Sequence, residues 1–135
     1  MIIVDASVIN KLFLLEENRE QAQAILDQHL KKLSKIVVPE LLLYEVANTL
    51  ATKTDISLSR IKSNLKDLQD ADLQIEHITF DMVSKAVAFA KKYQVTVYDA
   101  TYAVLAKEKK CILITADKKF VSQLNLPFVK SLDQF

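Results

Sequence analysis

Glycine is absent from all 135 residues of this chain. A dinucleotide fold needs a glycine-rich turn and a phosphate loop needs the pattern GxxxxGK followed by Ser or Thr. Both depend on a residue without a β-carbon, which lets the backbone approach phosphate closely, so both are excluded. Cysteine occurs once, at Cys111. No intramolecular disulfide can form, and the expectation is a reducing cytoplasm. Cys111, His29 and His77 are the only soft ligands, and their spacing matches no zinc motif. Cys111 is expected as a buried thiol opening a strand, and the two histidines as ordinary surface or core residues. No apolar run reaches about 18 residues, and the N-terminal MIIVDAS has neither a basic start nor a cleavage site, so no membrane span or leader is expected. An excess of either charge is missing as well. The chain holds 18 Lys and Arg against 17 Asp and Glu, a net charge of +1, which argues against a uniformly basic nucleic-acid surface.

Half of the residues are apolar, enough for one well-buried core, and residues 1–135 read as a single domain without repeat or linker. Strand and helix signals alternate along it. Residues 1–5 form a short buried strand, followed by a helix over SVINKLFLL. Residues 18–34 carry a helical stripe of Ala22, Ile25, Leu26, Leu30 and Leu33. A strand at 36–38 stops at Pro39, which suits the first turn of the next helix, ELLLYEVANTLAT. Asp55 or Ser57 caps a helix through about residue 70. Residues 73–78 suit a strand near a sheet edge with Glu76 solvated, and Thr79 begins a helix running to Tyr93. A helix over about 99–109, a strand CILIT, a short helix DKKFVSQL and a strand PFVK complete the chain. The alternation predicts a three-layer α/β sandwich around a mostly parallel sheet of about five short strands. In open sheets of this kind, ligands bind beyond the carboxyl ends of the strands, where the strand order switches.

Four acids stand apart from the solvated ones. Asp5 ends the first strand and Asp117 ends CILITAD; Glu45 lies inside LLLYEVA and Asp99 inside VTVYDATYAV. The three aspartates each allow a helix-cap reading. Glu45 does not: it sits within a helix among apolar neighbours, with no Lys or Arg within a turn, and a carboxylate there needs a cation, a proton or several donors. If the four converge at about 4–5 Å, each pair repels by roughly 3–4 kcal/mol at an effective dielectric near 20. A divalent cation relieves that repulsion, and an all-oxygen set favours Mg²⁺ or Mn²⁺ over zinc. A water on such an ion can attack a phosphodiester. Ser7 and Thr115, two residues from Asp5 and Asp117, could orient that water or a ligand carboxylate.

IVDAS at the N-terminus, PELLLYEVANTL, VYDATYAVLA and LITADKKF together resemble the PIN domain, and within it the VapC-type toxin ribonucleases, nearly end to end. The resemblance implies that Asp5, Glu45, Asp99 and Asp117 bind the metal, and that Thr115 is the supporting hydroxyl. Asn48, one turn after Glu45, matches an Asn of the family, although an ordinary surface Asn fits the residues equally. The same resemblance implies an endoribonuclease dependent on Mg²⁺ or Mn²⁺, a homodimer, and an antitoxin partner that blocks the acidic site. Lys11, Lys118 and Lys119 are candidates for RNA phosphate contacts, with Arg60, Lys62 and Lys66 further off; solvated lysines read the same way. Lys110 stands where related sequences often have Gly, so the preceding helix must stop without the usual left-handed glycine.

Three alternatives compete. A phosphatase of the haloacid dehalogenase type needs a second acid at position 7, which holds Ser7. A receiver domain needs a phospho-acceptor Asp after a central strand and a Lys after the last, and the second strand here, running into Pro39-Glu40, does not fit. A PIN fold used as a binding module without cleavage stays open.

Overall fold

A computed structural model describes residues 1–135 as five strands and seven helices. In chain order these are β1 (Ile2–Val4), α1 (Ala6–Phe13), α2 (Arg19–Leu30), β2 (Ile36–Pro39), α3 (Leu41–Thr52), α4 (Leu58–Asp70), β3 (Gln74–Glu76), α5 (Phe80–Tyr93), α6 (Val97–Glu108), β4 (Ile112–Thr115), α7 (Lys118–Leu124) and β5 (Val129–Ser131). All neighbouring strands run parallel, in the order β3-β2-β1-β4-β5, within the expected three-layer sandwich. From β1 the chain steps outward through β2 to β3, then returns to the far side of β1 for β4 and β5. The order therefore reverses between β1 and β4, where Ile3 pairs with Leu113 and Val4 with Ile114.

The central strands are apolar on both faces because helices cover both. Ile3, Val4, Val37, Val38, Leu113 and Ile114 are all fully buried, and such side chains contribute roughly 1.5–3 kcal/mol each. Helix α6 crosses β1, β2 and β4, and every residue from Ala100 to Ala106 is buried. It has almost no polar face, which explains why VYDATYAVLA lacks a clear stripe. Helix α5 covers α6 with Met82, Ala86 and Ala90 and leaves Phe80, Val83 and Val87 exposed.

The elements differ from expectation where capping and turn geometry decide the ends. Helix α2 stops at Leu30 because Lys32 turns left-handed (φ 58°), so Leu33 is 76% exposed instead of extending the buried stripe. Pro39 closes β2 opposite Glu76 rather than opening α3; it has no N–H, and the next donor, Glu40 N, continues the ladder to the Glu76 carbonyl at 3.0 Å. Glu76, expected solvated, is held by Lys109 at 2.7 Å. Ser57, not Asp55, caps α4. Cys111 is half-buried and precedes β4, which starts at Ile112. His29 is structural: its Nδ1 accepts the Ile36 N–H at 3.1 Å, leaving Nε2 to donate to the Ala71 carbonyl at 3.1 Å. His77 pairs with Glu40 on the surface.

With no glycine available, six turn positions are left-handed on other residues: Asn18, Lys32, Asp72, Gln94, Lys110 and Asn125. Asn and Asp tolerate this region, whereas a Lys or Gln there costs roughly 1–2 kcal/mol. At the end of α6, Lys110 (φ 53°) takes the place expected of glycine, and its N–H reaches the Lys107 carbonyl while Cys111 N–H reaches that of Ala106. The turn keeps the usual double hydrogen bond of a helix terminus despite the β-carbon.

Candidate metal centre

The strand switch fixes two of the four acids. Asp5 follows β1 directly and Asp117 follows β4 by two residues, so the carboxyl ends of two adjacent strands deliver both. Each also caps the helix that follows. Asp5 Oδ1 accepts from Val8 N–H at 3.3 Å, and Asp117 Oδ1 from Phe120 N–H at 2.9 Å. In both residues the cap uses Oδ1 alone, so the cap and metal readings are compatible.

Glu45 comes from α3 and Asp99 from the first turn of α6. Asp99 does not cap its helix. Thr96 does, accepting the Asp99 N–H at 3.1 Å, so the Asp99 carboxylate is not spent on capping its own helix. The segment Thr96-Val97-Tyr98-Asp99 has the S/T-x-x-acid spacing of a helix start, a signal from which the cap could have been read. Glu45 has a partner that the sequence reading missed. The hydroxyl of Tyr102, a buried residue of α6, donates to Glu45 Oε2. Tyr102 lies three residues after Asp99, and that spacing sets the two on one side of the helix.

Ser7 and Thr115 form a clasp across the switch. Ser7 Oγ donates to Asp5 Oδ1 at 2.5 Å and accepts the Ala116 N–H at 2.8 Å, so a residue after β1 is tied to the backbone after β4. Thr115 is completely buried; its Oγ1 accepts the Asp117 N–H at 3.0 Å and lies 3.4 Å from Ser7 Oγ. Both hydroxyls thus orient the aspartates and the loop between them. Asn48 is exposed on α3 and makes no side-chain hydrogen bond to the acids. Of the candidate lysines, Lys11 pairs with Glu16 at 2.6 Å and Lys118 with Asp133 at 2.6 Å, while Lys119 is exposed without an ion pair.

The carboxylates sense one another. Asp5 is raised to about 6, by burial first and by the Asp99 charge, against the pull of the Ser7 and Thr115 hydroxyls and the Val8 N–H. Glu45 is raised by burial and by the charges of Asp99 and Asp5, with Tyr102 opposing. Asp99 is raised by burial and by Asp117, with Thr96 opposing. The ion pairs of the structure include none of the four. No three acids stand close enough together to form a finished ligand set. The result is four acids on four elements, with repulsion linking Asp5, Glu45 and Asp99 and linking Asp99 to Asp117, and no protein cation paired to any of them.

The model of the PIN domain family matches residues 2–123. Ribonuclease VapC3 of Pyrobaculum aerophilum is 32% identical over 126 residues, covering 90% of this chain and 93% of the relative. Among solved structures, VapC20 of Mycobacterium tuberculosis, a toxin that cleaves the sarcin-ricin loop, superposes with a TM-score of 0.73 at 15% identity over 96% of this chain and 97% of its own. A toxin-antitoxin complex from Klebsiella pneumoniae contains a chain that superposes with a TM-score of 0.71 at 19% identity, over 98% of both chains. The doubly wound sheet, the order Asp, Glu, Asp, Asp across four elements and the sequence match over most of its length agree, and the chain belongs to the PIN-domain family, in its VapC branch.

Proposed function

We propose that the protein is an endoribonuclease dependent on a divalent cation and the toxin of a toxin–antitoxin pair. The observation that supports this reading is that Asp5, Glu45, Asp99 and Asp117, carried by four elements, act on one another through their charges, with no lysine or arginine paired to any of them. Similarity to a named ribonuclease over nearly the whole chain supports it. The donor set fits a hard cation: Asp5, Glu45, Asp99 and Asp117 would hold one or two Mg²⁺ or Mn²⁺, with waters completing the shell. When bound, the cation supplies the charge that acidifies a water and steadies the departing oxygen of a phosphodiester. The chain's own groups do the positioning. Ser7 and Thr115 hold Asp5 and the loop to Asp117, Tyr102 holds Glu45, and Thr96 fixes the first turn that carries Asp99. Asn48 is at most a peripheral contact. Lys119 is available to a phosphate directly; Lys11 and Lys118 would exchange exposed carboxylate partners for one, a small change because such surface pairs are worth about 0–1 kcal/mol.

The proposed partners have surfaces to match. A cavity of about 220 Å³ lies among residues of α1, α2 and α4, lined by Leu12, Phe13 and Leu26 together with Arg19 and Arg60. Asn64 also lines it, and its amide nitrogen is buried without an acceptor. An apolar antitoxin segment bearing a carbonyl or carboxylate would satisfy that donor. The exposed stripe Phe80, Val83 and Val87 on α5 supports a homodimer, which light scattering would show as twice the chain mass. No helix is long and apolar enough to cross a membrane.

Purified protein is expected to cleave RNA only with Mg²⁺ or Mn²⁺, and Asp5→Asn or Asp99→Asn to abolish cleavage with circular dichroism unchanged. Cleavage that survives in EDTA or in both variants would refute the reading. A folded, metal-binding protein that binds RNA without cutting it would favour the alternative, a PIN fold serving as a non-catalytic binding module. An antitoxin reading frame immediately upstream and growth arrest on expression alone test the toxin role; the absence of both would favour RNA processing.

A further inference from the structure

A groove of about 750 Å³ opens between α5, the C-terminal end of α6 and the loop before β5. A second cleft of about 340 Å³ shares Lys107, Lys110 and Phe128 with it, so the two form one depression. It lies at the amino ends of β4 and β5, whereas Asp5 and Asp117 stand at the carboxyl ends of β1 and β4. Lys107 is eight residues after Asp99 on α6, about 12 Å along its axis.

The lining pairs unneutralised positive charge with aromatic rings. Lys85 is saturated, holding Asp81 and Glu108 at 2.6 Å each. Lys92, Lys107 and Lys110 have no carboxylate partner, so the groove keeps three free cations in a chain whose net charge is only +1. Phe89 and Tyr93 pack with ring centroids 4.4 Å apart, Lys92 Nζ sits 5.2 Å from the centroid of Tyr93, and half-buried Phe128 lines the depression. A strand-like polyanion made of flat rings matches both halves of this lining: lysines take the phosphates and the ring of Phe128, outside the Phe89–Tyr93 pair, takes a base. An acidic peptide would use only the charge. A duplex hides its base faces.

We infer that this groove is a second RNA site, which holds a single-stranded segment of the substrate away from the scissile bond. The inference rests on the ribonuclease reading above and extends it. Because the acidic centre repels phosphate on its own, the groove supplies affinity that the cutting site lacks.

The test titrates the full-length protein in EDTA with a 5′-labelled single-stranded oligoribonucleotide of about 16 nucleotides, followed by fluorescence anisotropy. The variant Lys92→Ala/Lys107→Ala/Lys110→Gly removes the three charges, and glycine suits the left-handed backbone at 110. Binding is expected to weaken about tenfold to a hundredfold, and the slope of log affinity against log salt to become shallower by about 2, from roughly 0.7 per lost contact. Phe128→Ala should weaken binding about fivefold or more while leaving the salt slope unchanged. With Mn²⁺, cleavage of a dinucleotide, too short to span the roughly 12 Å to Lys107, should match wild type in both variants. Unchanged affinity and slope would overturn the inference. So would unchanged affinity accompanied by a loss of dimer mass, which would assign the groove to a second copy of the chain. A protein that binds through the groove but never cuts with Mn²⁺ would instead sink the nuclease reading and keep the groove.

Discussion

Asp5 is both a helix cap and a buried acid beside other acids, and its protonation couples the site to the stability of the fold. Its native value of about 6 lies above the ordinary 3.8. Between those values the folded state holds a proton that the unfolded state has released, so stability falls as pH rises through this window. The full difference is about 3 kcal/mol. In EDTA, the protein should therefore unfold at a higher temperature at pH 5 than at pH 7.5, and Asp5→Asn should flatten the dependence; a profile that rises with pH would contradict the assignment. Tyr102 is the second decisive residue. Tyr102→Phe keeps the packed ring and loses only the hydroxyl on Glu45, so Mn²⁺ affinity by calorimetry should drop about tenfold with little change in fold. Glu45 could be singled out from sequence because a carboxylate in an apolar helix requires an explanation. Its phenol partner could not, because a Tyr on a buried helix looks like core until a neighbouring chain segment is placed against it.

At the scale of elements, caps and turns determine where the acids point. Thr96 starts α6 two residues ahead of the expected helix and so places Asp99 in its first turn rather than at its cap. Thr96→Ala should cost about 1 kcal/mol in urea unfolding and reduce cleavage by more than that stability loss explains; an effect on stability alone would make Thr96 a cap and nothing more. The helices and strands themselves were legible, since their periods are local. Their ends were less so. The ring of Pro39 suits a helix start, yet β3 captures it as the last residue of β2. Lys32 ends α2 early by adopting a conformation that nothing in a lysine side chain announces.

For the whole molecule, the parallel order β3-β2-β1-β4-β5 brings Asp5 and Asp117 to the ends of neighbouring strands. A sequence can point to the carboxyl ends of strands, but which two strands become neighbours is a property of long-range pairing. The placement of the lysines shows the same limit: Lys11 and Lys118 pair with Glu16 and Asp133, and only the assembled fold decides between such pairs and open solvent. A cation bound across four elements should stabilise all of them at once. At Mn²⁺ a hundredfold above its dissociation constant the gain is about 2.7 kcal/mol, a rise of roughly 8 °C in Tm for a chain of this size. The rise should vanish in Asp5→Asn/Asp99→Asn, and its persistence there would place the cation elsewhere.

The pairing of β1 with β4 also has a consequence in time. Asp5 and Asp117 are 112 positions apart in the chain, and at about 5–20 residues per second a ribosome takes roughly 6 to 20 seconds to make the second after the first. Until β4 emerges, β1 lacks one neighbour and the Ser7 clasp has no backbone to hold. On the proposed mechanism the chemistry is therefore expected to stay silent during the chain's own translation, and a copy terminated before Asp117 is expected to leave the RNA around it uncut.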